Sequence, residues 1–433
     1  MAYSRERPVR IGLMGLGVIG SGVARVLTEK ADMLSQRIGV PLSLTRVLEK
    51  DSSKARALSL GPITTDDAEA FLAEPDLDIV IELLGGEEPA RQYIVRSLEA
   101  GRYVVTANKE VMAKHGVDLL SLARAKRADI FYEGSVGGGI PIIAPLKRDL
   151  LANDITAISA IINGTTNYIL TQMSREGRDF ADALARAQSL GYAEADPTND
   201  VEGIDASYKL AILAGLAFHV RVTPDQVYRE GISRLTSKDF RYAGDMGYAI
   251  KLLAVARREG DRLQLRVHPV LLPEGEPLAK VDGVLNAVQV EGDLIGRAMF
   301  QGPGAGSLPT SGAVVADVVN AAHALVNGRH EPIRRLRRRR LSVRPMDELR
   351  TRYYIRMTVT DRPGVLAQIA SVLGRNNISI ATVIQKEADE AAQTAEIVIT
   401  THEARERSVQ VALQKTAALE VVTEIGGFVR VEG

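Results

Sequence analysis

The 433-residue sequence contains no cysteine. That removes disulfides, thiolate metal ligands and cysteine nucleophiles together. Histidine is scarce as well. Its six residues, His115, His219, His268, His323, His330 and His402, show no i, i+4 pair or other tight ligand spacing, so a zinc site of the usual kind is not expected. No apolar run approaches the roughly 20 residues that span a bilayer. The start, MAYSRERPVRIGLMG, lacks the long apolar stretch and cleavage site of a secretory signal. No sign of charge predominates either: Lys plus Arg equals Asp plus Glu at 54 each, which argues against a broad basic surface for nucleic acid. The expectation is a cytoplasmic protein with neither nucleic-acid nor membrane partners.

What is present begins with glycine. VRIGLMGLGVIGSGVARVL places Gly15-Leu16-Gly17-Val18-Ile19-Gly20 between a strand and a helix. In such a turn the first glycine makes the bend, the second lets pyrophosphate approach the backbone, and the third lets helix and strand pack closely. The helix start then offers N–H groups and the positive end of its dipole to the phosphates. A nicotinamide dinucleotide is the expected ligand. Which one depends on the end of the second strand, LTRVLEKDSSKAR. Glu49 could accept from a ribose 2′-OH, favouring NAD, whereas Arg46, Lys50 and Lys54 could hold a 2′-phosphate. Successive strand residues point to opposite sides, so Glu49 and Lys50 are expected to face apart. NADP is favoured, with dual use open.

At this length about two or three domains are expected. Residues 8–150 alternate the strands VRIGLMG, LSLTRVL, LDIVIELLG, RYVVTAN and DIFYEGS with helical stretches. That order implies a doubly wound, mostly parallel α/β sheet. We place a Rossmann-type domain at 1–135, an α+β catalytic and dimerisation domain at 136–310, a linker at 329–352 and a βαββαβ domain at 353–433. The amphipathic stretch 311–328, SGAVVADVVNAAHALVNG, is expected to pack back on the first domain. Seven arginines fall in the twelve residues from Arg329; like charge in a run reads as a solvated linker.

The missing residues also narrow the chemistry. Without cysteine no thiohemiacetal can form on an aldehyde. Zinc-assisted alcohol oxidation lacks its ligands. A Tyr-x-x-x-Lys pair is absent around the 12 tyrosines. Direct hydride transfer between alcohol and carbonyl remains, with another proton donor. AEADPTNDVEGIDASYKLAILAGLAF, residues 193–218, offers one: Glu194, Asp196, Asp200, Glu202 and Asp205 precede a single lysine, Lys209. In a helix from about Ile204, positions Asp205, Lys209, Ile212, Leu213 and Leu216 share a face that is expected to be buried. A cationic lysine near a developing alkoxide stabilises its charge and can donate the proton, and nearby carboxylates keep it charged. The alternative is a surface Asp205–Lys209 i, i+4 pair. Glu194 or Asp196 could hold a substrate ammonium, so an amino-acid-like alcohol or aldehyde is expected.

The motifs GLGVIGSGV, TANKE, YEGSVGGGIPII, INGTTNYIL, GYAEADPTNDVEGIDASYKLAILA and GPGAGSLPTSGAVVAD follow in order over about residues 8–325. As a set they resemble homoserine dehydrogenase. The tail TVTDRPGVLAQIASVLGRNNISI resembles an ACT domain, a regulatory amino-acid-binding module. With no aspartate kinase domain ahead of the first motif, the monofunctional form is expected. The resemblance implies reduction of L-aspartate 4-semialdehyde to L-homoserine by NAD(P)H, on the way to threonine and methionine. It implies Lys209 as proton donor and Lys109 between nicotinamide and substrate. Substrate contacts fall on Glu194, Asp200, Asp205, Gly164 and Thr165. Cofactor contacts fall on Gly15, Leu16, Gly17, Val18, Ile19, Gly20, Arg46, Lys50, Thr106, Lys109, Gly191 and Gly306. A monovalent cation, sodium, would be bound through backbone oxygens of Glu133, Val136, Gly138 and Ile140. The sequence departs from many members at Lys50, where arginine is usual; lysine keeps the charge and loses the bidentate fork. Two other readings stay open: another Rossmann dehydrogenase of an amino-acid-like alcohol, and a non-catalytic amino-acid sensor.

In the tail, Pro363 is expected at a helix start, where its missing N–H costs nothing. Asp361, Gly364, Asn377 and Ile378 are the expected regulatory residues. ACT domains of this pattern bind a small amino acid where the first loop faces a strand, commonly across a subunit pair. Feedback by L-threonine in a homodimer or homotetramer is the expectation. Deleting residues 350–433 is expected to remove feedback and spare catalysis.

Overall fold

The computed structural model describes residues 7–328, 341–389 and 391–432. The arginine run at 329–340, and the linker character expected of it, lie outside the described residues. The described residues fall into two compact units. One is drawn from Met1–Ile158, Tyr208–Asp225 and Asn286–Arg340, the other from Ser159–Ser207, Gln226–Leu285 and Leu341–Gly433. Among the described residues, no helix is long and apolar enough to cross a membrane.

The first unit is built on a parallel sheet of β1 (Val9–Met14), β2 (Leu42–Leu48), β3 (Thr64–Thr65), β4 (Ile79–Glu82), β5 (Tyr103–Thr106) and β6 (Ile130–Phe131). Their spatial order is β3-β2-β1-β4-β5-β6. Near-continuous apolar runs suit strands covered on both faces, and β4 and β5 are buried throughout. The order reverses between β1 and β4, and ligands of such sheets bind beyond the strand ends at that reversal. Several strands are shorter than their apolar runs. β4 stops at Glu82 because Gly85 and Gly86 take positive φ and turn the chain away. The short β3 carries no apolar signal, and the sequence reading passed over it.

The helix Ser307–Asn327 starts four residues before the expected 311, with Gly306 as its N-cap at φ 122°. Its Val314, Val318, Ala321 and Ala322 share one core with β1, β2, β4, β5 and the helix Val18–Glu29. Each buried valine contributes about 1.5–3 kcal/mol. The two helices touch closely: a Cβ on Gly22 would fall 2.3 Å from Ser311 Oγ, which itself donates to Ile19 O at 3.0 Å.

In the second unit, strands Tyr248–Glu259 and Arg262–Pro273 form an antiparallel hairpin. Strand Arg262–Pro273 then pairs in parallel with Val422–Val431, at Val270 with Arg430 and Leu271 with Val431. Beyond it follow Arg350–Thr360, Thr394–Thr401 and Ile380–Asp389, all antiparallel. Helices Val365–Arg375 and Glu406–Ala417 bury Ile369, Leu373, Val409 and Ala412 against these strands. This is the βαββαβ order read from the sequence. One detail differs. The helix begins at Val365, two residues after Pro363, because Gly364 holds a left-handed φ of 91° that no helical residue adopts. The helix Ile204–Phe218 has the expected extent, and the chain passes from the second unit into the first within it.

Candidate active site

β1 ends at Met14 and Gly15 turns at φ 93°. A Cβ on Gly15 would lie 2.8 Å from Leu83 O, and one on Gly20 only 1.9 Å from Gly15 O. Nothing lies within 4 Å of a Cβ on Gly17. The turn therefore requires the first glycine and helix packing the third, while the second leaves open backbone where a pyrophosphate fits. The helix Val18–Glu29 starts directly after Gly17, and Val18 is exposed at its N-terminus. The loop is braced by Glu49. Leu16 N–H donates to Glu49 Oε2 at 2.6 Å, and Asp51 N–H to Oε1 at 2.9 Å. β2 stops at Leu48, so Glu49 and Lys50 lie past the strand and its alternation does not separate them. Arg46 is partly buried within β2, its Nε without a hydrogen-bond partner. Lys50 is exposed.

A cleft of about 340 Å³ in the first unit is lined by Lys109, Lys209, Ile19, Gly138, Gly306 and Thr310 among others, a size suited to a small ligand. Lys109 opens the helix Lys109–Ala125, whose N-cap Asn108 accepts from Val111 N–H at 3.1 Å. Asn108 Nδ2 also donates to Gly86 O at 2.7 Å. Below it sits Glu82, fully buried. It accepts from Thr106 Oγ1 at 2.7 Å and Leu84 N–H at 2.8 Å, and burial raises its pKa. Thr106, expected among the cofactor residues, is buried beside it. Glu82 and Asn108 escaped sequence reading, although an asparagine ahead of a helix is an N-cap signal.

The acids belong to the second unit. Asn163 caps the helix Gly164–Glu176 through Oδ1, which accepts from Thr166 N–H at 2.9 Å. Its Nδ2 donates to Asp200 Oδ1 at 2.7 Å and Asp205 Oδ2 at 2.9 Å. One side-chain amide thus holds both carboxylates, and Asn163 too was missed. Asp205 is 3% exposed, which excludes the surface-pair alternative. Ile212 and Leu213 are buried; Lys209 and Leu216 are only partly so. Lys209 is thus less buried than expected, because it faces the cleft. Thr165 donates its hydroxyl to Tyr192 O at 2.6 Å. Glu194 is exposed, as is Gly191 at φ 74°. Asp196 is exposed and caps its own turn at Thr198.

The Glu133 carboxylate takes three backbone N–H groups, from Ile142, Ile143 and Ala144, at 2.6 to 2.8 Å. Among the described residues no group of three or more His, Cys, Asp or Glu side chains could hold a metal. Gly138, at φ 58°, packs so that a Cβ would fall 2.4 Å from Gly304 O. In the C-terminal domain Asp361, Gly364 and Asn377 are exposed, and Ile378 is buried. Asn377 holds a left-handed φ of 59°.

Three family models match this chain. Residues 15–133 match the homoserine dehydrogenase NAD-binding domain, 141–319 homoserine dehydrogenase, and 353–421 the ACT domain. The chain is 42% identical to a homoserine dehydrogenase of Neisseria gonorrhoeae, covering 98% of this chain and 99% of that one. A crystal structure of a homoserine dehydrogenase from Thiobacillus denitrificans superposes with a TM-score of 0.93 at 41% identity, over 99% of both chains. A hyperthermophilic archaeal homoserine dehydrogenase mutant in complex with NADPH matches at 29% identity and a TM-score of 0.65, over 76% of this chain and all of that one. With relatives this similar along almost its whole length, the chain belongs to the homoserine dehydrogenase family.

Proposed function

We propose that this chain interconverts L-aspartate 4-semialdehyde and L-homoserine, with NADPH preferred to NADH. The observation that carries the reading is the convergence of Lys109 and Lys209 on one cleft that Ile19 of the glycine turn also lines. The nicotinamide supplies the hydride. Lys209 donates the proton to the developing alkoxide, and its charge stabilises that oxygen. Lys109 orients the substrate between the cofactor and Lys209. Asp200 and Asp205, held together by Asn163, and Glu194 are the substrate-binding acids of this reading. The direct test is oxidation of NADH and NADPH, side by side, with L-aspartate 4-semialdehyde. No turnover with either cofactor removes the proposal.

NADPH preference rests on the exposed Lys50 beside a Glu49 already engaged by two backbone N–H groups. Lys50→Ala is expected to weaken NADPH binding by roughly 10- to 150-fold, the loss of one charge-assisted contact, with NADH little changed. Equal loss for both cofactors would show that Lys50 does not read the 2′-phosphate. Sodium, if bound, would sit on carbonyl oxygens of the Glu133–Ile140 loop, the hard donors such an ion takes.

We also propose L-threonine as the effector of the C-terminal domain. Gly364 supports this: nothing lies within 4 Å of a Cβ there, so the loop backbone is open to a ligand. Calorimetry and activity assays with threonine are expected to show binding and inhibition together. Neither effect at millimolar threonine would leave the domain structural. Deletion of 350–433 is a poor test, because it takes Arg356 from the buried Asp239 carboxylate and Arg430 from the partly buried Glu230.

A further inference from the structure

A continuous set of bonds in the second unit runs from the C-terminal domain to the turn that carries Asp200. Arg430, 1% exposed on strand Val422–Val431, donates to Glu406 through Nε at 2.8 Å and Nη2 at 2.6 Å. It also donates to Glu230, through Nη1 at 2.8 Å and Nη2 at 2.9 Å. Glu230 N–H is itself held by Val267 O at 2.8 Å. The residues after Glu230 then touch the turn. Ile232 N–H donates to Val201 O at 2.9 Å, and Ser233 Oγ to Glu202 Oε1 at 2.8 Å. Gly231 packs so tightly that a Cβ would fall 2.5 Å from Val201 O and 2.4 Å from Glu202 Oε2. Val201 and Glu202 directly follow Asp200, whose carbonyl accepts from Thr166 Oγ1 at 3.0 Å on the other side.

Asp200 therefore rests on a turn clamped from two directions. One clamp is the helix bearing Asn163 and Thr166. The other is the segment Glu230–Ser233, and a guanidinium of the C-terminal domain fixes its first residue. We infer that Glu230–Ser233 positions Asp200, and that Arg430 makes the C-terminal domain part of the support of the substrate site. The inference rests on the reading of Asp200 as a substrate-binding acid. Neither Gly231 nor Arg430 reaches the reacting atoms; both are positioning residues.

Gly231→Ala is the sharpest probe. Its methyl meets a backbone oxygen that side-chain rotation cannot move, so the Asp200 turn must shift. A misplacement near 1 Å costs on the order of 100-fold. Gly231→Ala is therefore expected to raise the KM for the semialdehyde by roughly 10- to 100-fold while the Kd for NADPH stays at the wild-type value. Ser233→Ala, at an exposed position that folds without difficulty, is expected to raise that KM by roughly 2- to 10-fold, the loss of one hydrogen bond. Glu230→Gln, which weakens the grip of Arg430, should act in the same sense. An unchanged substrate KM in both folded Gly231→Ala and Ser233→Ala overturns the inference, as does an equal loss of cofactor binding. Asp200→Asn separates the two layers. If it leaves substrate KM unchanged, the reading beneath the inference fails with it. If Asp200→Asn raises KM and the Gly231 and Ser233 variants do not, only the inference fails.

Discussion

Lys209→Ala lowers turnover by roughly 100-fold or more, within the range general acid catalysis supplies, and leaves NADPH binding intact. Lys209 is the expected proton donor, and it lines the cleft together with Lys109. Its helix starts at Ile204, and Asp205 lies one turn before it. Alanine is a strong helix former, so the helix persists. The position is only partly buried, so the truncation opens no large core cavity. What disappears is the ammonium proposed to meet the alkoxide. Binding of NADPH, followed by its fluorescence, is the control, because the glycine turn at Gly15–Gly20 is untouched. Near-wild-type turnover in a folded, cofactor-binding Lys209→Ala variant would remove the role. Lys209→Arg keeps the charge but alters donor geometry and acidity, and it is expected to rescue only part of the rate.

Arg356→Met destabilises the chain by about 3–5 kcal/mol, the cost of breaking a buried ion pair from one side. Arg356 Nε donates to Asp239 Oδ1 at 2.8 Å, Nη1 to Glu396 Oε2 at 3.0 Å, and Nη2 to Gly426 O at 2.8 Å. Asp239 is 0% exposed and Glu396 nearly buried. Burial alone would weaken the charge on Arg356, yet the paired carboxylates win and its pKa is raised. Methionine fills much of the space and supplies no donor. Asp239 keeps its bonds from Thr236 N–H and Oγ1 at 2.9 Å and from the Tyr354 hydroxyl at 3.1 Å, but its charge is left without a cation. Chemical denaturation followed by circular dichroism measures the loss. The double variant Arg356→Met with Asp239→Asn is expected to recover part of it. A denaturation midpoint unchanged in the single variant would show that the pair contributes nothing net.

What the sequence disclosed and what it hid follow from distance along the chain. The glycine turn, the helix Ile204–Phe218 and the βαββαβ order are local patterns, written in glycine spacing and in the alternation of apolar residues. The bonds that organise the site are not local. Asn163 reaches Asp200 across 37 positions and Asp205 across 42. Arg356 reaches Asp239 across 117, and Arg430 reaches Glu230 across 200. No periodicity announces such pairs. At Glu49 and Lys50 the limit is a different one: strand alternation does not carry past Leu48, where the strand ends. Pro363 was misplaced because a left-handed Gly364 intervenes, and backbone handedness leaves only a weak mark in a single sequence.

The parallel pairing of Val422–Val431 with Arg262–Pro273 also bears on how regulation can be lost in evolution. A frameshift or stop codon ahead of residue 422 removes Arg430 and leaves Glu230 without its guanidinium, and with it one support proposed for the Asp200 turn. Truncation in this chain is thus expected to reach the substrate site, although a shorter archaeal relative is matched along its whole length by 76% of this chain. Missense changes on the exposed rim near Asp361, Gly364 and Asn377 touch no buried charge, so they are the changes expected to relax control at least cost to the fold. On this reading selection for catalysis and selection for control act on overlapping stretches of the gene.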